Sequence, residues 1–259
     1  MKLYGTYKNS KKSSASVYLV LRLLVFFCMI EQILRGNFNS AFLCLLSLIL
    51  FIIPIILQNR FKIELPNMLE ITIFCFIFSS TILGEIYNFY GNIPHWDTLL
   101  HTINGFLCAG IGFALIDLIN ENSKKIKLEP LYLAIVAFCF SMTVGVCWEF
   151  LEYGVDTLLL KDMQKDTVIQ TISTVRLNPN GNNKEVIIKD IDKTIIYDIN
   201  GNELAVIDGG YLDVGVQDTM KDLLVNFLGA LIFSTLGYFY TKNRSKYKFT
   251  ENFIPKKNI

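Results

Sequence analysis

The chain's two histidines, His95 and His101, stand in one short stretch, HWDTLLHTINGFLCA (95–109). Within it Asp97, His101, Asn104 and Cys108 recur at helical spacing. On a helix turning ~100° per residue they share an arc of roughly 60°. An imidazole one turn from a carboxylate suits two kinds of chemistry. It can join carboxylates around a divalent ion such as Zn, Mn or Fe, or the carboxylate can raise its pKa and make it a general base.

Three other segments carry similar strips. WEFLEYGVD (148–156) lines up Glu149, Glu152 and Asp156, and QDTMKDLLVNFLGA (217–230) lines up Asp218, Asp222, Asn226 and Gly229. Thr81, Glu85 and Asn88 share a face near the end of a third. From these strips we expect His101, Glu149, Asp222 and Asp218 as ligands of a divalent metal, with Asp97, Glu152 and Glu85 as catalytic carboxylates. Plainer roles suit several of them. Asp97 and Asp218 fit helix N-caps, and Asp156 fits a wetted interfacial position. Asn226, Gly105 and Gly229 fit helix packing, and Trp96 and Trp148 fit an interfacial belt.

The elements that would position these residues are apolar. Of 259 residues 52% are hydrophobic and 18% charged, and twenty are Phe. The apolar residues form unbroken blocks at 16–34, 39–57, 68–90, 98–119, 130–155 and 219–240. Each block approaches the ~20 residues that cross a hydrocarbon core as a helix, and a helix satisfies its own backbone polar groups there. The expected fold is an all-α integral membrane protein of six transmembrane helices with a small extracytoplasmic β insertion between helices five and six. The insertion is legible in β-branched runs, TVIQTISTVRL, KEVIIKD, KTIIYDI and ELAVIDG, separated by NPNGNN and DINGNE. Asn-Gly between such runs signals a hairpin. DINGNE lacks the ligand register of a calcium loop and reads as a turn.

Net charge is +1, with no nucleic-acid footprint. The positive residues cluster at Lys2, Lys8, Lys11 and Lys12, at Arg60 and Lys62, at Lys124, Lys125 and Lys127, and in the tail from Lys242 to Lys257. The short outer connections hold Arg35 in the first and no Lys or Arg in the second (91–97). The positive-inside rule then puts both termini in the cytoplasm. The expected division is a cytoplasmic segment (1–15), helices one to five (16–158), the β-rich insertion (159–217), helix six (218–240) and a basic cytoplasmic tail (241–259). The first helix reads as uncleaved, since no small-x-small site follows it. All six cysteines (28, 44, 75, 108, 139, 147) fall inside expected helices without a C-x-x-C pair, as packing residues do.

This topology sets all four polar strips at one level, in the outer half of the bilayer. A charge at the bilayer centre costs ~2.5–3.5 kcal/mol, so such residues face a bundle interior. We therefore expect one shared acidic pocket opening outward, with uninterrupted helices and no polar residues continuing into the cytoplasmic half. DTLLHTINGFLCA (97–109) and DTMKDLLVNFLGA (218–230) also echo one another, His101 aligning with Asp222.

WDTLLH, WEFLEYGVD and DTMKDLLVNFLGA, in this order, resemble the YjdF-like bacterial predicted integral membrane proteins over roughly residues 70–240. A more distant similarity runs to VanZ-like proteins, whose pattern falls here on Asp97, His101, Glu149, Asp222, Asn226 and Gly229. The β insertion and the WEFLEY context depart from that pattern, so no drug-resistance role carries over. The resemblance implies a multi-pass bacterial cell-membrane protein and names no reaction. Three functions compete. One is a metal-dependent hydrolase or transferase acting on a lipid or envelope substrate. Another is a cation- or proton-coupled transporter. The third is a non-catalytic accessory protein whose β insertion contacts an envelope partner. Membrane lipids are its expected surroundings in each.

Overall fold

The computed structural model describes residues 12–122 and 127–257. The expected cytoplasmic charges Lys2, Lys8, Lys11, Lys124 and Lys125 lie outside them. Six helical segments are long and apolar enough to cross a membrane: span 1 (Ser13–Leu34), span 2 (Phe38–Phe61), span 3 (Asn67–Ile86), span 4 (Trp96–Asn120), span 5 (Pro130–Leu159) and span 6 (Val216–Lys242). The chain is a mostly helical, multi-pass membrane protein with a small β region between spans 5 and 6. Large apolar side chains such as Phe27, Phe42 and Phe150 stand exposed on the spans. In water such a surface would aggregate, whereas lipid solvates it. Spans 4 and 6 have 44% of their apolar windows buried against 17% for span 1, so the two strips of interest sit on the most enclosed helices.

Two spans depart from uninterrupted helices. Span 2 consists of helices Phe38–Leu50 and Ile53–Phe61, because Pro54 has no N–H to donate and its ring crowds the carbonyl four residues back. Span 3 is α-helical over Asn67–Phe78 and then π-helical over Ser79–Ile86, ending short of the expected residue 90. The connection to span 4 holds a four-residue helix, Phe89–Asn92, between Asn88 and His95, both left-handed at φ 55° and 62°.

The described residues form two compact units, divided at Val146/Cys147 and at Lys221/Asp222. In the larger unit spans 4 and 6 cross at glycines. A Cβ on Gly105 would lie 2.1 Å from the Asn226 carbonyl oxygen, and one on Gly229 would lie 2.0 Å from that of Thr102. The two backbones therefore touch, and Ser141 of span 5 donates to the Gly105 carbonyl at 2.7 Å. Small residues at such crossings let van der Waals contact do what the hydrophobic effect cannot do in lipid.

Beyond span 6 the sequence reads as a polar tail, yet the chain folds back against the larger unit. A 3₁₀ helix, Lys248–Phe253, buries Thr250, Phe253 and Ile254. Strand β8 (Lys256–Lys257) then pairs antiparallel with β1 (Ile63–Glu64). The Phe253 ring meets Phe106 edge-on at 5.1 Å, and Phe106 meets Phe233 at 5.0 Å. Buried polar residues also occur at this end, contrary to expectation, and their partners are visible. Glu70 accepts from Gln58 Nε2 at 3.0 Å. Asp117 takes Arg244 Nη2 on both oxygens at 2.8 and 3.0 Å. Among the cysteines only Cys28 and Cys44 are fully buried, while Cys75, Cys139 and Cys147 lie on exposed faces. A thiol is apolar enough to face lipid as readily as a core.

The smaller unit holds three antiparallel pairs: β2 (Val168–Ile169) with β7 (Tyr211–Leu212), β3 (Ile172–Thr174) with β4 (Val186–Ile188), and β5 (Lys193–Tyr197) with β6 (Glu203–Asp208). NPNGNN and DINGNE form the turns of the last two pairs. In the second turn, Asp198 accepts from the backbone and side-chain amides of Asn202 and of Asn200. Those bonds hold its carboxyl below the usual aspartate range, the Asn202 side chain contributing most.

The crossing predicts a sharp contrast between two glycines. Gly229→Ala drives a methyl into backbone, and overpacking of this kind costs about 1–3 kcal/mol or more. Gly154→Ala meets no atom within 4 Å and gains helix propensity, so it leaves the melting temperature in detergent unchanged or raised. Equal melting temperatures for the two variants would refute the crossing.

Candidate metal centre

Span 4 begins at Trp96, so Asp97 lies inside the first turn and is not the N-cap, and His101 follows one turn later. Span 6 begins at Val216, which sets Asp222 about two turns inside. Because the two helices touch at Gly105 and Gly229, side chains one turn from that contact must meet. His101 Nε2 lies 3.5 Å from Asp97 Oδ1 and 3.6 Å from Asp222 Oδ2. One ligand atom from each of the three side chains falls within 4.8 Å of the other two. The Asp222 side chain is 2% exposed, against 13% for His101 and 26% for Asp97. The residues that align in the internal echo, His101 and Asp222, thus face each other across the helix pair.

The geometry is informative because both carboxylates approach the same ring nitrogen. A single N–H serves one acceptor well, and 3.5–3.6 Å exceeds the usual N–H···O range of ~2.7–3.2 Å. Two carboxylates this close also repel unless a positive charge stands between them. Asp97 Oδ2 is enclosed and meets no hydrogen-bond donor among the described residues. Ligands ~2.0–2.2 Å from a tetrahedral ion stand roughly 3.3–3.6 Å from one another, which is the spacing around His101 Nε2.

Beneath the cluster lies a layer of amides. Asn104 Nδ2 donates to Asn226 Oδ1 at 3.4 Å, and the Cys108 thiol donates to Asn104 Oδ1 at 3.5 Å. Asn226 Nδ2 reaches the Met142 sulfur at 3.6 Å, with Gly145 leaving room beside it. Asn226 is buried, and in lipid an amide so placed fixes the rotation of one helix against the next. Ser141, Met142 and Gly145 give the sequence no polar strip on this part of span 5.

The other expected site residues have the following contacts. Glu149 and Glu152 are buried, and Glu152 accepts from Trp148 Nε1 at 2.8 Å. Asp156 receives the backbone amides of Met163 and Gln164 at 2.6 and 2.8 Å, fixing the chain as it leaves span 5. Asp218 receives the Lys165 amide at 2.9 Å and is not an N-cap. Thr81 receives the Ser47 hydroxyl of span 2 at 2.7 Å, and Glu85 lies exposed on the π-helical segment. Among the described residues, Asp97 and His101 of span 4 and Asp222 of span 6 form a group that could hold a metal ion.

Residues 15–243 match the family described as "Predicted membrane protein (DUF2238)". The chain is also similar to a Thermotoga maritima protein described as "Uncharacterized protein", at 24% identity over 106 residues, 41% of this chain and 53% of that protein. The chain therefore spans about half the length of the curated relative it matches. No solved structure matches the chain. The resemblance to an integral membrane family is met in these comparisons, and the VanZ likeness has no counterpart among them.

The amide layer predicts a non-additive pair. Asn226→Leu keeps the branching at Cγ and takes the acceptor from the half-buried Asn104 amide, at a cost of about 1–3 kcal/mol. Asn104→Leu combined with Asn226→Leu removes both partners and recovers most of that loss. A double variant as unstable as the sum of the single ones, by thermal melting in detergent, would show that the two amides act independently.

Proposed function

The chain belongs to the DUF2238 family of predicted membrane proteins, and on that footing we propose that Asp97, His101 and Asp222 hold a divalent cation. Zn, Mn and Fe suit one imidazole and two carboxylates. The observation that carries this reading is the convergence of two carboxylate oxygens on one imidazole nitrogen, at ligand-to-ligand spacing and beyond good hydrogen-bond length. Such an ion would supply a Lewis acid and water activated near neutral pH. The protein's part is to hold His101 neutral with one nitrogen toward the site, to keep Asp222 dry, and to leave Asp97 accessible enough for an incoming group. The activity proposed on this basis is hydrolysis or group transfer on an ester or phosphoester of a lipid or envelope molecule. Support for a one-sided site over a conducting path comes from the rings of Phe106, Phe233 and Phe253, which stack on the far side of the Asn104–Asn226 layer. The cytoplasmic placement of both termini belongs to the same proposal and rests on the distribution of Lys and Arg.

Metal analysis of the purified protein tests the centre. We expect about one equivalent in the wild type and near none in His101→Ala or Asp222→Ala, with Asp97→Asn bound more weakly. Restoring the metal to stripped wild type at ~100 times its Kd adds about 2.7 kcal/mol of stability, and the alanine variants gain nothing. Wild-type protein that neither carries metal nor takes up Zn, Mn or Fe on dialysis would end this reading.

A further inference from the structure

The end of span 6 carries charge that the metal centre does not use. Lys242, Lys246 and Lys248 are exposed, and none pairs with a carboxylate among the described residues. Two of them lie against tyrosines. Lys242 Nζ stands 4.5 Å from the centre of the Tyr238 ring, and Lys246 Nζ 5.6 Å from that of Tyr247. Tyr247 in turn stacks on Phe239, with ring centres 5.4 Å apart and planes inclined by 23°. Phe249, beside Lys248, is 59% exposed although it follows the membrane span by only a few residues.

This patch is built, not frayed. Arg244, in its midst, is withdrawn from it. The guanidinium takes both oxygens of the buried Asp117 and lies 4.9 Å over the Tyr240 ring. A few residues later Thr250, Phe253 and Ile254 are buried, and β8 closes on β1. The segment bearing the three lysines is therefore pinned on both sides, and its rings are packed beneath the ammonium groups.

We infer that Lys242, Lys246 and Lys248 form a docking surface for the headgroups of anionic phospholipids. Tyrosines and an exposed phenylalanine where a helix leaves the hydrocarbon are at home in the headgroup layer. Lysines extend their stems along such rings and lift the charge toward water and phosphate. A zwitterionic headgroup offers each phosphate with its own cation, whereas an anionic lipid leaves the negative charge for the protein. Near a membrane surface that attraction accumulates with each additional lysine. A soluble partner would have to displace lipid from Phe249 and Tyr247, and this favours lipid as the occupant.

The test places the full chain in nanodiscs made from equal parts of phosphatidylcholine and phosphatidylglycerol, and counts the lipids retained by native mass spectrometry. Wild type should retain phosphatidylglycerol over phosphatidylcholine by about tenfold, and 0.5 M salt, at a Debye length of about 4 Å, should reduce this. Lys242→Gln, Lys246→Gln and Lys248→Gln together should bring the ratio near one, while the three lysine-to-arginine changes should preserve it. The arginine variant and the salt series keep the test decisive if the glutamine variant folds poorly. No preference in the wild type, or full preference in a folded glutamine variant, overturns the proposal. So does an equal rise in melting temperature when inorganic phosphate is added in detergent, which would mark a soluble-anion site instead.

Discussion

Gly105 and Gly229 allow the backbones of spans 4 and 6 to touch, and the rest of the site follows from that contact. A helix pair held by side chains alone keeps its axes 8–10 Å apart in typical packing, and side chains one turn from the crossing then have slack to turn away. With backbone against backbone the slack is gone. His101 and Asp222 occupy the same level on facing helices and have little choice but to meet. The Asn104–Asn226 bond one turn below prevents either helix from rolling out of that alignment. Precision at the cluster is thus a property of the helix crossing, supplied by residues that bear no charge.

The bundle treats its buried charges in two ways. Glu70 and Asp117 are enclosed with partners that can satisfy them, an amide and a guanidinium. Satisfied charges of this kind lock helices together and have no capacity left for a ligand. Asp97 and Asp222 share one imidazole nitrogen, and among the described residues Asp97 Oδ2 meets no donor. Burying charge in low dielectric is costly unless its partners are well placed. Two carboxylates brought to one ring nitrogen, unlike Glu70 and Asp117 with their separate partners, mark a group positioned for something besides packing.

Much of this was legible in the residues. The spans follow from the apolar blocks, and the two hairpins from Asn-Gly between β-branched runs. The echo between DTLLHTINGFLCA and DTMKDLLVNFLGA aligned His101 with Asp222, the two residues that meet across the helix pair. Pro54 carried the break in span 2 in plain view, but an apolar block long enough to cross a bilayer conceals a kink. On span 3, facing one side of a helix does not say which neighbour lies there, and Thr81 meets Ser47 of span 2. Least legible was the segment after span 6. Phe253 and Ile254 are two apolar residues in a run of charge with no periodicity, and a two-residue strand pairing leaves no pattern to find. Their burial depends on residues from spans 4, 5 and 6 together, some more than a hundred positions earlier.

That segment also orders the protein's assembly in time. Phe253 and Ile254 belong to the same apolar cluster as Phe113 of span 4 and Leu133 of span 5, yet they are synthesised after span 6. Spans 4 and 5 precede residues 248–254 in the chain, so the cluster they share stays incomplete until those residues have emerged and turned back. Integration into the membrane and completion of the fold are therefore separate events. In the interval that cluster lacks two of its ten buried members.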